Sequence, residues 1–188
     1  LLEESRDAED DDKLHILQAA WLLYRGPLLA SNSIEEWAIP ENLHYKELYR
    51  DCTNQIADIL KEKERTTIQD LQTQEKSCVE KYRRYKEQAC DMELKNLFEK
   101  IEKLEQKHYD TLGKVLEGEV PECNCNDDDG KDYEPPVTYT QADNSEDKKT
   151  DCFLVTDCIG TEKMVSSEYN SKVFRFAYAA LRKLMADI

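Results

Sequence analysis

From Asn42 to Glu117 the chain runs seventy-six residues without a proline and with a single glycine, Gly113. Leu43, Leu48, Cys52, Ile56, Ile59 and Leu60, then Leu94, Leu97, Phe98, Ile101 and Leu104, recur at steps of three and four, with Glu and Lys between them. That spacing puts an apolar stripe on one side of a helix and charge on the other. Glycine and proline number only five each in 188 residues, too few for the many turns of a sandwich or barrel. The expected class is all-α: a long helical hairpin or coiled-coil-like body with shorter N- and C-terminal helices packed on it and stapled by disulfides.

An unbroken helix over 42–117 would span about 110 Å at about 1.5 Å per residue, long for a domain of this size. The apolar pattern weakens at Lys61 to Glu64, before the β-branched pair Thr66-Thr67, so a turn near Arg65 is expected. Cys52 and Cys78 stand thirteen residues either side of Arg65, and an antiparallel fold there would bring them level for a disulfide. The alternative is one continuous helix used as a coiled-coil arm.

The net charge of −15 is concentrated. Residues 1–12 hold seven acids against Arg6, and residues 117–151 hold twelve against three lysines, while the remainder balances. The reading is a mobile acidic tail at 1–12, a helical body at 13–117, an acidic, partly disordered loop at 118–150, and C-terminal helices at 151–188 docked on the body, one domain overall. Acidic runs repel polyanions, so neither nucleic acid nor a membrane surface is an expected partner. No run reaches the ~18 apolar residues of a membrane span.

The chain in order supports that division. Asp10-Asp11-Asp12 can open a first helix that carries Leu14, Leu17, Trp21 and Tyr24 and stops at Gly26-Pro27. Ser33-Ile34-Glu35-Glu36 is a capping-box pattern for a second, short helix ended by Pro40. Trp21 and Trp37 are expected as core anchors. Thr150 to Gly160 reads as a short helix ended by its glycine, and a last amphipathic helix starts near Ser166-Ser167.

Seven cysteines lack any C-x-x-C pair, and His15, His44 and His108 are scattered, so neither a metal nor a cofactor is expected. Disulfides in an oxidising compartment explain the count better and point to secretion. The bridging candidates are Cys52, Cys78, Cys123, Cys125, Cys152 and Cys158, with Cys123 and Cys125 reaching to Cys152 or Cys158 and Cys90 left unpaired. The sequence opens on Leu1 rather than Met, which reads as a mature or trimmed product. The Asn/Asp cluster at 124–129 invites calcium, but with Gly130 at the obligatory glycine of an EF-hand, Pro136 falls where the bidentate Glu belongs.

Lys81, Arg83, Arg84 and Lys86, interleaved with Tyr82 and Tyr85, form the one basic aromatic cluster and the candidate site for an anionic ligand or partner. No G-x-S-x-G, Walker A or H-E-x-x-H motif occurs, so the chain is not expected to be an enzyme.

The helical body carrying Cys52, Cys78, Cys90 and Tyr82 to Lys86, behind an acidic leader and without an Asn-x-Ser/Thr sequon, resembles the secreted salivary proteins of blood-feeding mosquitoes. The similarity is to the acidic anti-platelet family and its larger relatives. It implies a secreted salivary binding protein that engages a host protein or a small mediator of haemostasis, inflammation or immunity. The Gly-Glu-rich repeats of the anti-platelet members are absent, and no functional residue carries over. Two alternatives stand beside it: a scaffold that self-associates, as a homodimer for instance, through its long helices, and a helical carrier of a small apolar ligand in a pocket lined by Trp21, Trp37 and the C-terminal aromatics.

Overall fold

A computed structural model describes residues 1–27, 38–122 and 133–188. These form five α-helices and, among the described residues, no strand: α1 (Asp10–Leu23), α2 (Ala38–Gln88), α3 (Met92–Leu116), α4 (Glu146–Lys172) and α5 (Ala179–Asp187). Two units are distinguished, Leu1–Glu64 and Arg65–Ile188, and α2 contributes to both. No helix among the described residues is long and apolar enough to cross a membrane.

In the first unit α1 runs antiparallel to the N-terminal part of α2. Asp11 pairs with Lys63, the Cys52 thiol donates to the Leu17 carbonyl (3.1 Å), and Trp21 Nε1 donates to Thr53 Oγ1 (3.1 Å), so positions rise on one helix as they fall on the other. Lys63 holds the Asp11 carboxyl below its ordinary range, by hydrogen bond first and charge second. α1 begins at Asp10, inside the segment expected as a tail, and the three aspartates occupy its first turn, where the helix dipole favours acids. Upstream, Glu4–Arg6 form a 3-10 turn that buries Ser5. Pro40 lies in the first turn of α2, a position that needs no amide donor, so it opens that helix rather than ending a shorter one. The Ser33 to Glu36 pattern lies outside the described residues.

The second unit corrects the expected turn. The backbone is helical through Arg65, because Lys, Glu and Arg are good helix formers. The chain reverses instead at Ala89–Asp91, where the Asp91 side chain caps α3 by accepting from the Glu93 amide (3.2 Å). Buried Asp151, reaching over from α4, accepts the amides of Cys90 (2.7 Å) and Asp91 (2.9 Å) and the Tyr139 hydroxyl (2.7 Å). Cys52 and Cys78 are therefore not brought level by a turn at Arg65.

α2 and α3 form the antiparallel hairpin. The inward positions of α2 are Ile68, Leu71, Glu75, Cys78, Tyr82 and Tyr85, and those of α3 are Leu94, Phe98, Ile101, Glu105, His108 and Leu112, each set stepping by three and four as in a coiled coil. α4 lies antiparallel to α2, with Lys81 on Asp157, Tyr82 on Glu162 and Tyr169 on Glu75. Leu154, Cys158, Val165 and Tyr169 carry its buried stripe past Gly160, so the two expected C-terminal helices are one. The break comes later, at Phe176–Tyr178, where Phe176 is buried and Arg182 donates to the carbonyls of Phe176 (2.7 Å) and Ala177 (2.8 Å).

Gly160 sits mid-helix with nothing near the position a Cβ would take. Gly160→Ala should therefore raise stability by about 0.5–1 kcal/mol, read as a higher urea midpoint at unchanged m-value.

Candidate functional site

Between α1 and the first turns of α2 the first unit carries an apolar cleft of about 640 Å³. Small-molecule sites span roughly 300–1,000 Å³. Its wall is an aromatic row. Tyr24 meets Tyr49 with centroids 4.7 Å apart, and Trp21 stacks on the same ring at 5.6 Å. Leu23, Tyr45 and Leu48 extend the apolar surface, while Glu3 and Arg25 set one charge of each sign at its edge. Gly26, at φ 110°, turns the chain out after α1 in a backbone region that favours glycine.

This placement corrects the reading of Trp21 as a core anchor: it is 38% exposed and lines the cleft. Its indole N–H is already spent on Thr53, so the open face of the ring, not its donor, is what a ligand would meet. Trp37 lies outside the described residues. The C-terminal aromatics belong to the second unit and do not line this cleft. Tyr24, Tyr45 and Tyr49 were missed as site residues; the signal available was three tyrosines and a tryptophan on facing amphipathic stripes.

The basic cluster is dispersed by the helix. Lys81 points to α4, pairing with Asp157 and Thr161 and lying 5.4 Å over the Tyr85 ring. Arg83 (3.0 Å) and Lys86 (2.7 Å) share Glu102 of α3, which depresses the carboxyl of Glu102, by the Lys86 hydrogen bond first. Arg84 reaches Glu80 only at 4.0 Å and is mostly exposed. Tyr82 is fully buried against Phe98, and the Tyr85 hydroxyl donates to Asp157 (2.9 Å), with burial first and that contact second pushing its pKa up to about 12. The four cations thus face three separate carboxylates, Asp157, Glu80 and the shared Glu102, rather than one common point.

The expected disulfide staples are not present among the described residues. Cys52, Cys78, Cys90, Cys152 and Cys158 are all free thiols; Cys52, Cys78 and Cys158 are buried, while Cys90 and Cys152 are exposed. Cys123 and Cys125, with the Asn/Asp cluster at 124–129, lie outside the described residues. What holds α4 to the hairpin is packing of the apolar seam and the Asp151, Asp157 and Glu162 contacts instead.

No family model matches this chain, and neither a curated protein nor a solved structure does.

Proposed function

We propose that this chain is a non-enzymatic binding protein whose first unit carries a small molecule with an apolar, aromatic or aliphatic body. The observation that supports this reading is the cleft walled by Trp21, Tyr24 and Tyr49. Stacked rings offer wide contact area at small entropic cost, because each has only two side-chain torsions to fix. The opposed charges of Glu3 and Arg25 leave the apolar body, rather than net charge, as the basis of selection. Of a host protein and a small mediator as targets, the concave cleft favours the small mediator. The five free thiols withdraw disulfide bonding as a support for secretion, and the binding proposal does not depend on compartment.

Titration with 1-anilinonaphthalene-8-sulfonate tests it. The expected result is one site per chain, with energy transfer from tryptophan to the bound probe. Leu48→Glu places a charge in the wall and should weaken binding by on the order of tenfold, equivalent to about 1.4 kcal/mol. Trp21→Ala, which removes a stacked ring of the wall, should weaken binding as well. Equal affinity in wild type and both folded variants would exclude the cleft.

A second reading has its own observation. Leu22, Leu23, Ile39 and Leu43 are exposed apolar residues of the first unit, and an apolar surface of that kind suits self-association. Sedimentation equilibrium across a concentration series separates the two: a homodimer that persists with the cleft saturated by probe supports the scaffold.

A further inference from the structure

Among the inward positions of α2 and α3, charged side chains are gathered in one layer. Glu75 on α2 and Glu105 and His108 on α3 occupy inward positions and are each more than nine-tenths buried. Glu105 and His108, three apart, share one helix face, and the antiparallel hairpin sets Glu75 opposite them. Two carboxylates and an imidazole in a dry core are costly to desolvate and need a positive charge to balance them, which either a proton on His108 or a bound cation supplies.

The distances from His108 to the two carboxylates are longer than hydrogen bonds. His108 Nδ1 lies 3.7 Å from Glu75 Oε2 and 3.6 Å from Glu105 Oε2. A hydrogen bond between such atoms closes to about 2.7–3.2 Å. Two ligands of one tetrahedral ion with bonds of about 2.0–2.2 Å sit about 3.4 Å apart. All three donor atoms fall within 4.8 Å of one another. Glu75 Oε2, buried and facing His108, has no hydrogen-bond partner among the described residues. The other oxygen of Glu75 is occupied: the Tyr169 hydroxyl of α4 donates to Oε1, as an outer partner that orients a ligating carboxylate does.

We propose that Glu75, Glu105 and His108 form a binding site for one divalent transition-metal ion of the zinc class, oriented by Tyr169 and with one exchangeable position. With the ion in place of the His108 proton, two carboxylates and a neutral imidazole carry the charge that the ion neutralises. A nitrogen and two oxygens suit zinc and its first-row neighbours, whereas calcium takes six to eight oxygens and magnesium keeps most of its waters. A cavity of about 220 Å³, bordered by the three residues with Glu162, Ser166 and Asn170, gives space for water or a small ligand at the fourth position. Three protein ligands with an open fourth position is the pattern of exchangeable rather than closed zinc sites.

The full chain, stripped with EDTA and kept reduced, is titrated with zinc chloride by calorimetry, with calcium chloride as the control. One equivalent of zinc should bind with micromolar or tighter affinity, and calcium should not compete. Glu105→Gln and His108→Gln should weaken zinc binding by on the order of a hundredfold, and Tyr169→Phe by roughly tenfold. X-ray absorption of the wild-type zinc complex should give nitrogen and oxygen scatterers only, which decides the matter even if a variant fails to fold. Sulfur in that shell would assign the zinc to cysteines and overturn the proposal. So would unchanged affinity in the folded variants, or no uptake by folded wild type at about 100 μM zinc, since a preformed buried site should fill well below that concentration.

Discussion

Replacing Asp151 with alanine should lower the unfolding free energy by about 2–4 kcal/mol, as removing the shared acceptor of three hydrogen bonds and leaving their donors unserved does. Asp151 is 4% exposed and accepts three hydrogen bonds, from the Cys90 and Asp91 amides and the Tyr139 hydroxyl. The two amides stand at the end of α2 and the start of α3, where no intrahelical carbonyl serves them. Their loss would leave the reversal of the hairpin without acceptors just where α4 docks. Asp151→Asn keeps one acceptor oxygen and should cost less than the alanine change, and Tyr139→Phe, which removes one bond, about 1 kcal/mol. Urea unfolding followed by circular dichroism gives all three. A change under about 1 kcal/mol for Asp151→Ala would mean that the reversal is held by the apolar seam alone.

Helical class was legible because steps of three and four persist through α2 and α3 with almost no glycine or proline to interrupt them. The position of the reversal was not. The charged run at Lys61 to Glu64 was taken for a bend, but it coincides with the division between the two units at Glu64 and Arg65. There apolar residues thin out because one packing surface ends and another begins, while the backbone remains helical. The true reversal has no glycine or proline and is made by Asp91 and by Asp151, sixty residues downstream. Only the first of these has a local signal, that of an N-capping aspartate. At Gly160 the opposite error occurs: a residue read as a stop sits inside α4, because the stripe of Leu154, Cys158, Val165 and Tyr169 outweighs roughly 1 kcal/mol of helix propensity.

Candidate sites were legible to the degree that their residues are local. Glu105 and His108 lie three apart in an apolar stripe, a pairing visible in the chain, yet it gains meaning only from Glu75, thirty residues earlier, and Tyr169, much later. His108 also changes character with its neighbours. Burial works to lower its pKa, but the carboxylates of Glu105 and Glu75 outweigh that and raise it to about 9. No count of histidines carries that information, since it comes from the hairpin register. Conversely Lys81, Arg83, Arg84 and Lys86 form a patch only in one dimension, because a helix turns successive residues about 100° apart and divides these four among Asp157, Glu80 and a Glu102 that Arg83 and Lys86 share.

The thiols offer the other large effect, in rate rather than in stability. Burial first, with the carboxylate of Asp157 adding and Lys81 opposing, pushes the Cys158 thiol up to about 11, and burial likewise raises Cys78 to about 12 and Cys52 above its ordinary value. Alkylation proceeds through the thiolate, so at pH 8 a thiol at about 11 presents a few hundredfold less nucleophile than one near 8.5. Cys152, on the same helix as Cys158, and Cys90 are exposed, although burial first and the Asp147 carboxylate second raise the Cys90 thiol. Timed labelling of the native protein with iodoacetamide, read by peptide mass spectrometry, should modify Cys152 and Cys90 first. Cys158 and Cys78 should follow at least on the order of a hundredfold more slowly, with steric exclusion adding to the chemical term, and buried Cys52 should also lag. Unfolding in urea without reductant should then expose all five to label at comparable rates, since all five are free. Resistance of Cys52 and Cys78 in the unfolded, unreduced chain would instead mean that they are bridged. That bridge would require the chain to reverse between them, contrary to the helix that runs through Arg65.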